Sequence, residues 1–168
     1  MHWHLKHWWL GLASDATAVY YDCLVAVQTT IRALGLTGVA SASIVVKKLP
    51  LDRVKKNDAL SYPIVLITPV REQISPTEGS NLQDDYVYSV LVTILDDDNQ
   101  EKTLAANLPA YLLWRQQIEH AFQRQRLASL TTVYTATVEP ADAVSLPAWA
   151  RNLYMTALLL RFYSRETR

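Results

Sequence analysis

Histidine, cysteine and clustered carboxylates are the side chains in this sequence with chemistry to offer. His2, His4 and His7 lie near the start, and His120 stands apart in a stretch rich in arginine and glutamine. The first three have the atoms to chelate a metal, but nothing in the local sequence fixes their geometry. Cys23 is the only cysteine, so an intramolecular disulfide and a cysteine metal cluster are excluded. It stands among apolar residues, where a small buried hydrophobe is the expected role. A Cys23–His120 pair of nucleophile and base has no supporting motif. Asp96, Asp98 and Glu101 are spaced like the opening of a calcium loop, without its central glycine or its distant final glutamate. Four scattered glycines build no phosphate-cradling loop. The acids at 84–85 and 96–98 fall at opposite ends of one expected strand, about 40 Å apart at ~3.4 Å per residue. They cannot act as one acid–base pair. The expectation is a protein that is no enzyme and uses no cofactor or metal.

Charge is more informative than catalysis. Residues 72–101 carry Glu72, Glu78, Asp84, Asp85, Asp96, Asp97, Asp98 and Glu101 with no lysine or arginine. Residues 47–56 carry Lys47, Lys48, Arg53, Lys55 and Lys56 against Asp52 alone. Two readings fit this split: a pair of solvated loops, or complementary patches that meet between neighbouring subunits. The formal net charge is zero and the pI about 6.9, which argues against a uniformly basic nucleic-acid surface.

The elements that must position these groups follow from periodicity. Tyr20, Leu24, Val27, Ile31 and Leu34 recur at helical spacing and predict a helix from about Ser14 to Leu34. Ser14 or Asp15 suits its cap, and Gly35 its C′ position. Ala42–Leu49 reads as a strand ended by Pro50, with 51–58 as a basic connection. Tyr62–Val70 reads as a second strand, opened by Pro63 and closed by Pro69. The unbroken run Ile64-Val65-Leu66-Ile67 implies cover on both faces. Residues 71–84 form a long polar excursion, either a loop or a protruding hairpin arm.

Tyr86–Leu95 alternates, with Tyr86, Tyr88, Val90, Val92 and Ile94 on one face. A second helix is expected over 103–126, with Leu104, Leu108, Tyr111, Leu112, Ile118 and Phe122 as its stripe and Trp114 beside it. Pro109 fits its first turn. Strands at Thr131–Val138 and Leu153–Tyr163 complete the chain, with 143–150 as a loop between them. The fold class is therefore α+β: a mixed sheet of about five strands packed on two helices, with a long loop or arm.

The 168 residues, 50% hydrophobic, suffice for one core. Residues 1–13 are set apart as a tail, leaving 14–168 as one domain. The tail does not read as a signal peptide. Its Trp3, Trp8 and Trp9 suit either a docking role or a start codon placed too early. No apolar run reaches the ~18 residues that span a bilayer.

From Ile31-Arg32-Ala33-Leu34-Gly35-Leu36 through Ile44-Val45-Val46, Tyr62-Pro63-Ile64-Val65-Leu66-Ile67-Thr68-Pro69 and Asp85-Tyr86-Val87-Tyr88-Ser89-Val90-Leu91-Val92 to the final strands, the chain resembles tail terminator proteins of long-tailed bacteriophages and related particles. The resemblance covers about residues 14–165. It implies a homo-oligomeric, hexameric ring on the head-proximal end of the tail tube, part of the virion and assembled in the host cytoplasm. Its implied partners are the tube protein, a neck, stopper or head-completion protein and, in a contractile tail, the sheath protein. DNA would pass through the lumen without sequence-specific binding, and no membrane is involved. Contact between Glu72, Glu78, Asp84 and Asp85 of one subunit and Lys47, Lys48, Arg53, Lys55 and Lys56 of the next suits a closing ring. The acids have an alternative use in lining the lumen. Another neck component and a small-molecule-binding α+β domain are the competing readings.

Overall fold

A computed structural model describes residues 18–48, 60–80, 82–97 and 106–167, with the side chains of 76–80 outside that description. The elements run in the order α1 (Val19–Ala33), β1 (Ile44–Val46), β2 (Ile64–Ser80), β3 (Gln83–Asp97), α2 (Leu108–Phe122), β4 (Val133–Pro140), the short turn α3 (Leu146–Trp149) and β5 (Leu153–Thr167). One five-stranded sheet has the order β1-β2-β3-β5-β4. β1 pairs with β2 in parallel and every other pair is antiparallel, so the sheet is mixed as expected.

Both long helices lie on one face. α1 packs over β1, β2 and β3, while α2 packs over β4 and β5. Leu24, Val27 and Ile31 of α1 join Val65, Ile67, Val90, Val92, Ile94, Leu158 and Leu160 in the main core. Each such side chain contributes about 1.5–3 kcal/mol on burial. The predicted α1 stripe is the one that packs, and Gly35 takes φ +60° just past the helix, where a side chain would be strained. The helix starts later than expected. Ala18 is extended, and as an alanine it has no side-chain oxygen with which to cap the helix. Ser14 and Asp15 lie outside the described residues.

Ile64 and Leu66 point to the other face, where they meet Leu95, Val45, Leu60, Tyr62 and Met155 in a second, smaller core. All four residues of the Ile64–Ile67 run are buried, as their unbroken apolar character predicted. β1 is shorter than Ala42–Leu49, since a 3-10 turn occupies Ser41–Ser43. Residues 49–59, including Pro50 and the basic connection, lie outside the described residues.

Two expectations are corrected. Pro69 does not close β2, which continues to Ser80. The pairing shifts register between Pro69 and Arg71, so the proline sits beside a bulge on an edge where its missing N–H costs no ladder bond. In α2, Leu108 and Leu112 are exposed; Tyr111, Trp114, Ile118 and Phe122 are the buried stripe. The aromatic side chains fill the space over β4 and β5, with Phe122 edge-on to Phe162 and Tyr111 stacked on Tyr154. Leu104 lies outside the described residues. Pro109 is in the first turn as expected.

Candidate interaction surface

The long excursion is a hairpin arm, and it has three strands rather than two. β2 and β3 continue as partners from Arg71–Ser89 to Ser80–Gln83. β5 accompanies β3 along its whole length, from Asp97–Leu153 to Gln83–Thr167. β1 reaches only Val65–Ile67, so among the described residues the outer side of β2 has no strand neighbour beyond that point.

The base of the arm is fixed from α1. The Tyr20 hydroxyl accepts a hydrogen bond from Val70 N at 2.9 Å and donates to Ser89 O. A phenol thus fills the gap the bulge opens between β2 and β3. Its ring stacks on Tyr88, which stacks on Tyr86, with centroids 5.0 and 5.7 Å apart. Burial raises the Tyr20 pKa, outweighing its bonds to the Val70 and Arg71 backbone. Tyr88 is also raised, by burial first and then by donating to Glu166 Oε1 at 2.6 Å.

The opposite face of the arm is held by charge. Arg165 grips Asp85 in a bidentate pair, Nε to Oδ1 at 2.7 Å and Nη2 to Oδ2 at 2.8 Å. Asp85 is only 3% exposed, and the arginine's hydrogen bonds hold its carboxyl below the ordinary range. Arg165 also stands over the Tyr134 ring. Beside it, Arg161 pairs with Glu139 at 2.7 Å on the surface.

The predicted contact residues therefore fall in different situations. Glu72 is exposed on the helix side of β2, opposite Tyr88. Asp84 is half-buried and stands directly across from Glu166, two acids on adjacent strands. Asp85 points to the other face and is held by Arg165. Glu78 lies in β2, its side chain outside the described residues. Lys47 is half-buried, with its N–H bonded to Ile67 O at 2.9 Å, and Lys48 is exposed. Both stand at the end of β1, on the sheet edge from which the arm leaves. Arg53, Lys55 and Lys56 lie outside the described residues. Sequence reasoning placed Tyr20 only on the α1 stripe, with no role at the arm, and missed Arg165. Tyr86 and Tyr88 alternating on one strand signalled an aromatic face, but nothing local marked Arg165, 80 residues from its partner.

No side-chain grouping for catalysis assembles among the described residues. Cys23 is enclosed, and burial pushes its thiol up to about 12, while His120 faces solvent. Among the described residues no group of three or more His, Cys, Asp or Glu could hold a metal. Asp96, at the far end of β3, accepts from the Tyr111 hydroxyl at 2.8 Å. A groove of about 450 Å³ between α1 and residues 127–130 is lined mainly by Val25, Ala26, Leu127 and Leu130. A second, of about 540 Å³, lies by residues 141–147, where Arg115 already binds the carbonyls of Ala141 and Asp142 and the hydroxyl of Thr156. No helix among the described residues is long and apolar enough to cross a membrane.

The fold so defined, a mixed five-stranded sheet under two helices with a long arm, has a counterpart among solved structures. It matches the cryo-EM structure of the sheath/tube terminator of the extracellular contractile injection system PVC, in its extended state, with a TM-score of 0.52 and 13% identity. The match covers 91% of this chain, which spans 57% of that chain's length. At that identity the likeness is one of fold. No protein-family model matches the chain, and no curated protein does.

Proposed function

We propose that the chain is a non-enzymatic structural subunit of a tail-like particle, of the terminator type. The fold shared over 91% of the chain with a sheath/tube terminator is the observation that carries this reading. Residues 14–168 act as one domain. Copies close into a ring, hexameric by the resemblance, that caps the last ring of a tube and stops its growth. The other face of the ring receives a neck, stopper or head-completion protein, with sheath protein as a further partner where the tail contracts. DNA passes through the lumen without sequence-specific contact, and the protein resides in the assembled particle, a phage virion in the finer form of this reading.

Such a ring needs two different surfaces that fit each other. Lys47, Lys48, Arg53, Lys55 and Lys56 of one copy supply one, and Glu72, Glu78 and Asp84 of the next supply the other. Asp85 serves that contact by bracing the arm through Arg165.

The test is light scattering of the purified protein, then negative-stain imaging with tube protein. Rings seated on tube ends support the reading. A monomer that ignores tube ends and binds a portal or adaptor protein would move the assignment to another neck component. Lys55→Glu with Lys56→Glu should impair rings at moderate salt; unchanged rings would remove the charge contact.

A further inference from the structure

The sheet treats its edges unequally. Along β1, the carbonyl of Ile44 is taken by Gln28 Nε2 at 2.8 Å and Arg32 Nη2 at 2.9 Å. Along β4, Ala136 O accepts from Arg124 N at 2.9 Å, and Val138 N donates to Gln123 Oε1 at 2.7 Å. Arg124 adopts φ +59° there. These side chains and turns occupy groups that another strand would need.

The arm's β2 edge is different. Ile67 turns its carbonyl outward to Lys47 N. Past the bulge at Val70, Arg71, Gln73 and Ser75 pair across to Ser89, Val87 and Asp85. By strand alternation the N–H and C=O of Glu72 and Ile74 then face outward. Among the described residues nothing bonds them. Pro69 and Pro76 bracket the window. Its flanks are apolar, with Val70 56% and Ile74 59% exposed. Its charge is uncompensated: Asp85 and Glu139 have arginines, whereas exposed Glu72 has no ion pair among the described residues.

We propose that β2 between Arg71 and Ser75 is a strand-addition site for an extended segment of a different polypeptide. That segment sets a basic side chain against Glu72 and an apolar one against Ile74. Main-chain bonds to Glu72 and Ile74 supply affinity, and the two side chains set register. Among the described residues, a second copy of this chain could offer only its own β2 edge, which repeats Glu72 and brings no basic side chain to that face, since groups along β1 and β4 are already bonded and β3 and β5 are interior. Glu72 is shared with the ring contact proposed above; this site adds the main-chain edge, and its binding of a peptide does not depend on ring formation.

The full-length protein is titrated with a ten-residue peptide of alternating lysine and valine, read by calorimetry and amide hydrogen exchange. The expected result is saturable one-to-one binding with slowed exchange at Glu72 and Ile74. N-methylating the peptide's edge-facing amides should weaken binding about tenfold or more, and Glu72→Lys should do likewise. Glu72 is exposed, so that variant retains the fold. No saturable binding, equal binding of the methylated peptide, or protection that leaves 72 and 74 unchanged overturns the proposal. A peptide of residues 47–56 of this chain that outcompetes the lysine–valine peptide overturns the choice of partner in favour of a second copy. None of these results bears on tube capping, which is read separately by imaging.

Discussion

Val90, Val92, Ile94 and Leu95 of β3 are enclosed between helices on one side and the smaller core on the other. Toward Gln83 the same strand, with the same two neighbours, is held by a tyrosine stack, a phenol in a bulge and one bidentate ion pair. The first region is stabilised by apolar area, which is insensitive to which partner is present. The second is stabilised by directional contacts that leave an edge, the carboxylate of Glu72 and the apolar side chains of Val70 and Ile74 facing outward. One part of the molecule is closed by packing, and the other keeps an edge open.

The sharpest way to break this contrast is to damage the enclosed half. Leu158→Ala removes a fully buried side chain paired across from Val92. Chemical denaturation should show a loss of about 2–5 kcal/mol. A smaller value would mean that the body relaxes around the cavity.

At the arm base, Tyr20→Phe deletes only the hydroxyl. The Val70 N–H loses its acceptor and Ser89 O its donor, for an expected cost of about 1–3 kcal/mol. Amide exchange should quicken at Val70 and Arg71 while residues 64–67 stay protected. Uniform quickening would show that arm and body open together.

Asp85→Asn tests the ion pair through its pH dependence. The folded carboxyl titrates below its ordinary value of 3.8, so its contribution is complete at neutral pH and is lost as pH falls below about 4. The wild type should therefore lose more stability than the variant between pH 5 and pH 3. Parallel acid limbs would show that the pair adds nothing to folding.

The smallest effect on stability belongs to Ile74→Thr, expected within about 0.5 kcal/mol because the residue is exposed. Its effect should appear in binding of the lysine–valine peptide, which is where the two regions differ.

Much of the body was legible in the sequence because burial leaves periodic traces. The α1 stripe, the two faces of β3 and the doubly covered Ile64–Ile67 run all packed as their spacing predicts. The stripe read for α2 mixed Leu108 and Leu112 with Tyr111, Ile118 and Phe122 and set Trp114 beside it, whereas only the aromatic side and Ile118 are buried. A period of 3.6 cannot choose between the two sides, and the sheet chose the one with more surface to bury. Pro69 misled for a related reason. Proline ends strands whose N–H is needed, and whether it is needed depends on which strand lies beside it. The charged halves of the candidate surface were visible as a split between 47–56 and 72–101, but the partner of Asp85 was not. Arg165 meets it through the β3–β5 register, which no local pattern encodes.

The placement of β5 has a consequence for how the chain is made. It is the last described strand in sequence, yet it lies inside the sheet, between β3 and β4. Its pairing with β3 joins residues as far apart as Gln83 and Thr167. During synthesis β3 and the aromatic face of α2 must wait, solvent-exposed, until β5 leaves the ribosome. Folding is then gated by one late, long-range closure, and a chain that stalls before residue 153 displays its future interior to whatever is nearby.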